Sequence, residues 1–212
     1  MARKNTDPVA DTLAEIAEAK KVGATKLSVR AHDADVLRAA FEVTTLTDLS
    51  IDGAIDQLPD ELGNLTELER LSMTGVGLTS LPATIGNLVK LTTLYAYSNK
   101  LTTLPPGIGA LTKLRKVVLW SNQFKTVPPE IGGWVSIAEL ELKWNQLESL
   151  PDELGKLVAL EQLDLESNQL TTMPRTLGKL TKLYRLVLGT NKFSEFPAGV
   201  LDLPNLRELD LK

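Results

Sequence analysis

One phrase opens at Leu68, Leu91, Leu114, Ile137, Leu160, Leu183 and Leu206, always 23 residues after its last occurrence. At its clearest, from Leu160 to Leu170, it reads LEQLDLESNQL, with leucine at the first, fourth, sixth and eleventh positions and asparagine at the ninth. A unit of this size cannot bury its own leucines. A core arises only when successive units stack, so each unit touches mainly its neighbours.

Within the phrase, Leu163 and Leu165 alternate with Gln162, Asp164 and Glu166. That is the period of a short strand with one face buried. Between strands runs a second phrase, LPxxIGxLxxL, as in LPATIGNLVKL (81–91), LPPGIGALTKL (104–114) and LPDELGKLVAL (150–160). Its proline turns the chain into a short helical or 3₁₀ segment, and its glycine permits close packing. Stacked units therefore place parallel strands on one side and return arms on the other. The asparagines Asn99, Asn122, Asn145, Asn168 and Asn191 fall where the chain leaves each strand. Facing inward there, they are expected to bond backbone groups that the turn leaves unpaired.

These phrases resemble leucine-rich repeats, and the 23-residue length with the LPxxIGxLxxL arm is similar to the class found in plant intracellular Ras-group-related proteins, Roco-type GTPases and some bacterial proteins. The resemblance implies an α/β leucine-rich-repeat solenoid, a curved right-handed superhelix whose concave parallel sheet binds proteins. About seven full repeats and a truncated last strand are expected over residues 46–212. Ala54 and Val76 stand at the asparagine position of the first two repeats, and Leu201 stands where the last arm should have glycine.

Residues 1–45 read differently, as an N-terminal helical capping segment. Asp7 caps a helix with Pro8 in its first turn, Val9, Leu13, Ile16 and Ala17 on one face, and Gly23 as its stop. KLSVR (26–30) alternates like a strand, and a second helix carries Val36, Leu37, Ala40 and Phe41 inward. At the other end Leu206, Leu209 and Leu211 belong to inward columns with no later repeat to cover them, which suggests a continuing chain or a homodimer through this C-terminal end.

Of 212 residues, 23 are basic and 27 acidic, giving a net charge of −4 and no cationic excess for nucleic acid or an anionic membrane. Cysteine is absent and the first residues lack the apolar stretch of a secretion signal, so a cytoplasmic protein is expected, with a secreted effector as the alternative. No cofactor or metal motif occurs, the single histidine His32 has no catalytic partner in sequence, and Glu139, Glu141, Asp164 and Glu166 are the only carboxylates drawn together. The expectation is a non-enzymatic protein-binding module. The alternatives are the recognition part of a larger multidomain protein, such as a GTPase or bacterial effector, and a self-associating structural protein.

Packing dictates the inward columns, so function must reside in the outward ones. The fifth column supplies Tyr95, Val118, Glu141, Asp164 and Val187 as candidate partner-binding residues. The seventh supplies Tyr97, Trp120, Lys143 and Glu166, and the eighth adds Trp144. Tyr97, Trp120 and Trp144 should form one contiguous exposed patch, because their columns lie about 4.8 Å apart from strand to strand, and large aromatics are the residues most enriched at binding hot spots. Trp134 replaces an inward leucine and belongs to the core. Arg115 and Lys116 precede an acidic strip of Glu139, Glu141, Glu161, Asp164 and Glu166, opposed there only by Lys143. A protein partner with an apolar anchor and flanking basic residues would complement such a surface.

Overall fold

A computed structural model of the chain describes residues 7–212; residues 1–6 of the N-terminal segment lie outside the described residues. Nine strands form one sheet in strict chain order, every neighbouring pair parallel. They are β1 (Lys26–Ala31), β2 (Asp48–Gly53), β3 (Arg70–Ser72), β4 (Thr93–Tyr95), β5 (Lys116–Val118), β6 (Glu139–Glu141), β7 (Gln162–Asp164), β8 (Arg185–Val187) and β9 (Glu208–Asp210). The repeat sets the register: Leu140 lies opposite Leu163, and Leu163 opposite Leu186. All three point inward and are buried.

The return arms are 3₁₀ turns, at Asp60–Asn64, Ala83–Asn87, Pro106–Ala110, Pro129–Gly133, Asp152–Lys156 and Arg175–Lys179. A five-residue arm opened by proline is too short to propagate an α-helix, so it tightens into i→i+3 bonding. Successive arms pack so closely that a Cβ built on Gly155 would lie 2.5 Å from Cβ of Thr176, and one on Gly178 would lie 2.6 Å from Cβ of Asp202. Glycine in that column is thus demanded by the next arm. Leu201, at the same column of the last arm, meets no such neighbour and is 86% exposed.

The asparagines satisfy the prediction made for them. Asn145 accepts from Phe124 N at 3.2 Å and donates to Leu119 O at 3.1 Å and Leu142 O at 2.9 Å, linking its own repeat to the preceding one. Asn99, Asn122, Asn168 and Asn191 repeat the pattern. Trp134 is buried as expected and donates its indole N–H to Ile108 O at 2.9 Å.

At the N-terminus, α1 (Pro8–Val22) is capped by Asp7, whose side chain accepts from Val9 N, and ends on Gly23 at a φ of 64°. α2 (Ala34–Phe41) buries Val36, Leu37, Ala40 and Phe41 as the sequence predicts. The buried stripe of α1 differs from the expected one: Ile16 and Ala19 are buried, whereas Leu13 and Ala17 face solvent. The helix has few partners, α2 and β1, so only a narrow line of contact closes. β1 continues the repeat sheet through six paired positions with β2, a role that its alternating pattern alone did not specify.

Inward and outward columns differ in their energetic consequences. Leu163→Ala is expected to cost about 2–5 kcal/mol, as for buried leucines generally, and Asn145→Ala at least about 2 kcal/mol, because it strands three buried backbone groups. Glu166→Ala is expected to stay within about 0.5 kcal/mol. Urea melts with coincident midpoints for the three variants would show that the inward assignment is wrong.

Candidate functional site

Alternation along β4 to β8 sends the third, fifth and seventh positions of each repeat to the open face of the sheet. The parallel register then sets equivalent residues side by side, about 4.8 Å from strand to strand. In the seventh column this juxtaposes Tyr97 and Trp120. Their rings stack with centroids 4.1 Å apart and planes 19° from parallel. Trp144 joins them from the neighbouring column, meeting Trp120 edge-on at 5.7 Å and 90°. The three rings expected to lie together are therefore one continuous array. Tyr97 and Trp120 are half-buried by their mutual packing, and Trp144 is 50% exposed.

The backbone under Trp144 is unusual for a residue of its size. The eighth position of every repeat through β8 has positive φ: 105° at Gly53, 67° at Gly75, 57° at Ser98, 56° at Ser121, 53° at Trp144, 55° at Ser167 and 55° at Thr190. Elsewhere the position is held by glycine, serine or threonine. A bulky aromatic in the left-handed region costs about 1–3 kcal/mol, and such strain concentrates at functional positions. The column's small-residue composition was the signal in the sequence that pointed to this conformation.

The remaining candidate residues separate into distinct groups. Tyr95 lies under Arg70, whose guanidinium carbon is 4.6 Å from the ring centroid. Lys116 hydrogen-bonds Glu139 and lies 3.8 Å from Glu141. The hydrogen bond to Glu139 is the largest influence that holds the Lys116 ammonium above the ordinary lysine range, against the opposing effect of burial. Lys143 divides itself between Asp164, at 3.5 Å, and the ring of Trp144, at 5.2 Å. Arg185 pairs with Glu208 at 3.0 Å. The acidic strip read from the sequence is thus neutralised only in part: Glu139, Glu141 and Asp164 meet lysines of adjacent strands, and Glu161, at the second position, has no ion pair among the described residues. Among the described residues, Glu166 has no ion-pair partner.

Two candidates need correction. Val118 is 3% exposed and Val187 is 7% exposed, so neither projects as a contact side chain, and Val187 contributes only to the lining of a hollow. Both sit in the outward fifth column, but each is a short side chain between longer ones, Val118 between Tyr95 and Glu141 and Val187 between Asp164 and Asp210. The third column, by contrast, was not among the candidates. Gln162 and Arg185 line a shallow hollow with Glu141, Lys143, Asp164 and Val187, and their period-two relation to the fifth column was the available signal. Among the described residues no cluster of His, Cys, Asp or Glu is arranged to hold a metal ion, and no helix is long and apolar enough to cross a membrane.

Comparison with known proteins gives family matches over most of the chain. A model described as a leucine-rich repeat region matches residues 29–132, and a leucine rich repeat model matches residues 112–170. No curated protein matches significantly. Among solved structures, a leucine-rich-repeat protein of Leptospira interrogans is 30% identical with a TM-score of 0.75, covering 100% of this chain and 65% of its own. The leucine-rich-repeat ectodomain of the Arabidopsis thaliana membrane receptor kinase GASSHO1/SCHENGEN3, solved in complex with Casparian strip integrity factor 2, is 32% identical with a TM-score of 0.73. It covers 82% of this chain, which spans 22% of it. The plant peptide hormone receptor RGFR1 in complex with RGF2 is 25% identical with a TM-score of 0.76, over 91% of this chain and 33% of the receptor. This chain therefore spans less than two thirds of each.

The strain at Trp144 is measurable. Trp144→Gly relieves the left-handed conformation but gives up the edge contact with Trp120, worth about 0.5–1.5 kcal/mol. The two effects nearly cancel, so stability is expected to change by less than about 1 kcal/mol. A loss as large as that of a core leucine in a denaturant melt would show that the ring is structural.

Proposed function

The chain is a leucine-rich-repeat protein, and from that premise we propose that it binds a protein or peptide partner on its strand face, around Tyr97, Trp120 and Trp144. The observation that carries this reading is the tryptophan at position 144, where every other repeat through β8 has glycine, serine or threonine at the same left-handed position. The left-handed backbone is shared by Ser98, Ser121, Ser167 and Thr190, so what sets position 144 apart is the half-exposed indole beside Trp120, and a binding contact accounts for that ring. Two related folds are consistent with it: the two plant receptors named above were solved in complex with Casparian strip integrity factor 2 and with RGF2.

Lys143 and Glu166 border the array, while Glu141 and Asp164 lie one column away, already paired with lysines. The array supplies apolar contact area and its rim supplies orientation. Binding of this kind is non-enzymatic, and it is the same whether the repeats stand alone or form the recognition part of a longer polypeptide. A cytoplasmic setting is proposed from the absence of cysteine.

Affinity capture with the wild-type chain and with Tyr97→Ala/Trp120→Ala tests the reading, using Val135→Ser on the return-arm side as a control. The double variant is expected to lose its partner by at least about ten-fold, since such anchors carry roughly 2 kcal/mol or more each. A partner retained equally by both would move the binding surface to the return arms or the N-terminal helices. A second reading is favoured by Phe196 and Leu201 in the repeat that opens at Leu183 and Leu211 just after β9, all exposed: two copies associate through these residues. Light scattering across a concentration series is expected to give a mass that rises with concentration and falls again in Leu201→Lys, and a constant monomer mass rejects it.

A further inference from the structure

The charges around the aromatic array are unevenly satisfied, and the imbalance specifies a partner chemistry. At the third, fifth and seventh positions of β5 to β8 and the residues that follow them, the cations are Lys116, Lys143 and Arg185, and each lies within ion-pair distance of a carboxylate. No cation on this part of the face is left for an acidic partner. Glu166 is the opposite case. Lys143, the residue beside it in the seventh column, turns its ammonium to Asp164 at 3.5 Å, and among the described residues no basic group pairs with Glu166. Its carboxylate stands half-exposed one strand beyond the rings.

Glu166 and Trp144 are held together by the backbone, since Trp144 N donates to Glu166 O at 2.9 Å. A residue whose carboxylate lacks a cation is therefore joined, main chain to main chain, to one that carries a half-exposed indole. One side-chain chemistry satisfies both groups at once. A guanidinium is planar, stacks on an indole face, and can present two N–H donors to a carboxylate. An ammonium pairs with the carboxylate but does not stack as a plane, and an uncharged aromatic stacks but leaves Glu166 unpaired. Lys143 does not already fill this role, because its flexible ammonium is shared between Asp164 and the indole.

We propose that the partner presents an arginine to this face, its guanidinium stacked on Trp144 and paired with Glu166, next to an apolar residue seated against Tyr97 and Trp120. This rests on the strand-face reading above and names the chemistry of the partner at that site. Lys143 then acts as a specificity residue, since its positive charge beside the seat disfavours an incoming cation unless that cation also gains Glu166.

Isothermal titration calorimetry with three capped peptides tests this: acetyl-Ala-Phe-Ala-Arg-Ala-Arg-Ala-amide and its lysine and citrulline counterparts. Citrulline keeps the shape of arginine and removes the charge. The arginine peptide is expected to bind at least about ten-fold more tightly than the citrulline peptide and about three-fold more tightly than the lysine peptide. Glu166→Gln and Trp144→Ser are each expected to weaken the arginine peptide about five-fold or more. Lys143→Gln is expected to tighten it, which a merely structural role for Lys143 would not produce. Circular dichroism melts confirm that the variants are folded.

Equal affinity for the three peptides, no binding by any of them at millimolar concentration, or indifference to Glu166→Gln overturns the proposal. Binding of an uncharged oligosaccharide such as cellohexaose in place of the peptides also overturns it and assigns the rings to a glycan. If the arginine preference fails while partner capture remains sensitive to Tyr97→Ala/Trp120→Ala, the guanidinium seat is lost and the strand-face reading survives. If both fail, both are wrong.

Discussion

The asparagine at the ninth position of five successive phrases, Asn99, Asn122, Asn145, Asn168 and Asn191, is the interaction on which the stacking of those repeats depends. Its carboxamide donates to carbonyls of its own repeat and of the one before, and accepts an N–H from the preceding repeat, as Asn122 does with Ala96 O, Leu119 O and Leu101 N. Removing it from any of these five repeats would leave buried backbone groups unpaired, at about 1–3 kcal/mol each. The residue before it is in the left-handed region, as at the same position of the two repeats that lack the asparagine, and from there the return arm starts. Leucines supply the apolar area, but the asparagines fix where each unit turns.

That turn also determines what the binding face can be. Because the eighth residue is left-handed in every repeat through β8, small residues fill the column and the edge of the face stays low. Trp144 departs from the pattern and raises a ring beside Trp120. Around it the parallel register brings cations and carboxylates of adjacent strands into pairs, so the face is a lattice of matched charges with few unsatisfied members. A mismatch such as Glu166 carries information about a partner, whereas the paired glutamates carry little.

The glycine column of the arms shows the same logic on the opposite side. Gly155 and Gly178 leave no room for a side chain because the following arm is in contact, and the leucine at position 201 stands where that contact is absent. Repeats thus specify each other pairwise.

The inward leucines, the asparagine ladder, the buried Trp134 and the strand order were legible from the sequence, because a strict period fixes which residues must repeat the same environment. The membership of Tyr97, Trp120 and Trp144 in one patch was legible for the same reason: columns remain aligned in a parallel sheet. The tertiary structure alone decided which outward residues are accessible, since the burial of Val118 and Val187 depends on the lengths of side chains one strand away. It also decided the charge pattern. An acidic strip in the sequence became ion pairs of Lys116 with Glu139 and Lys143 with Asp164, because electrostatic pairing acts between residues brought together across strands and not between neighbours along the chain.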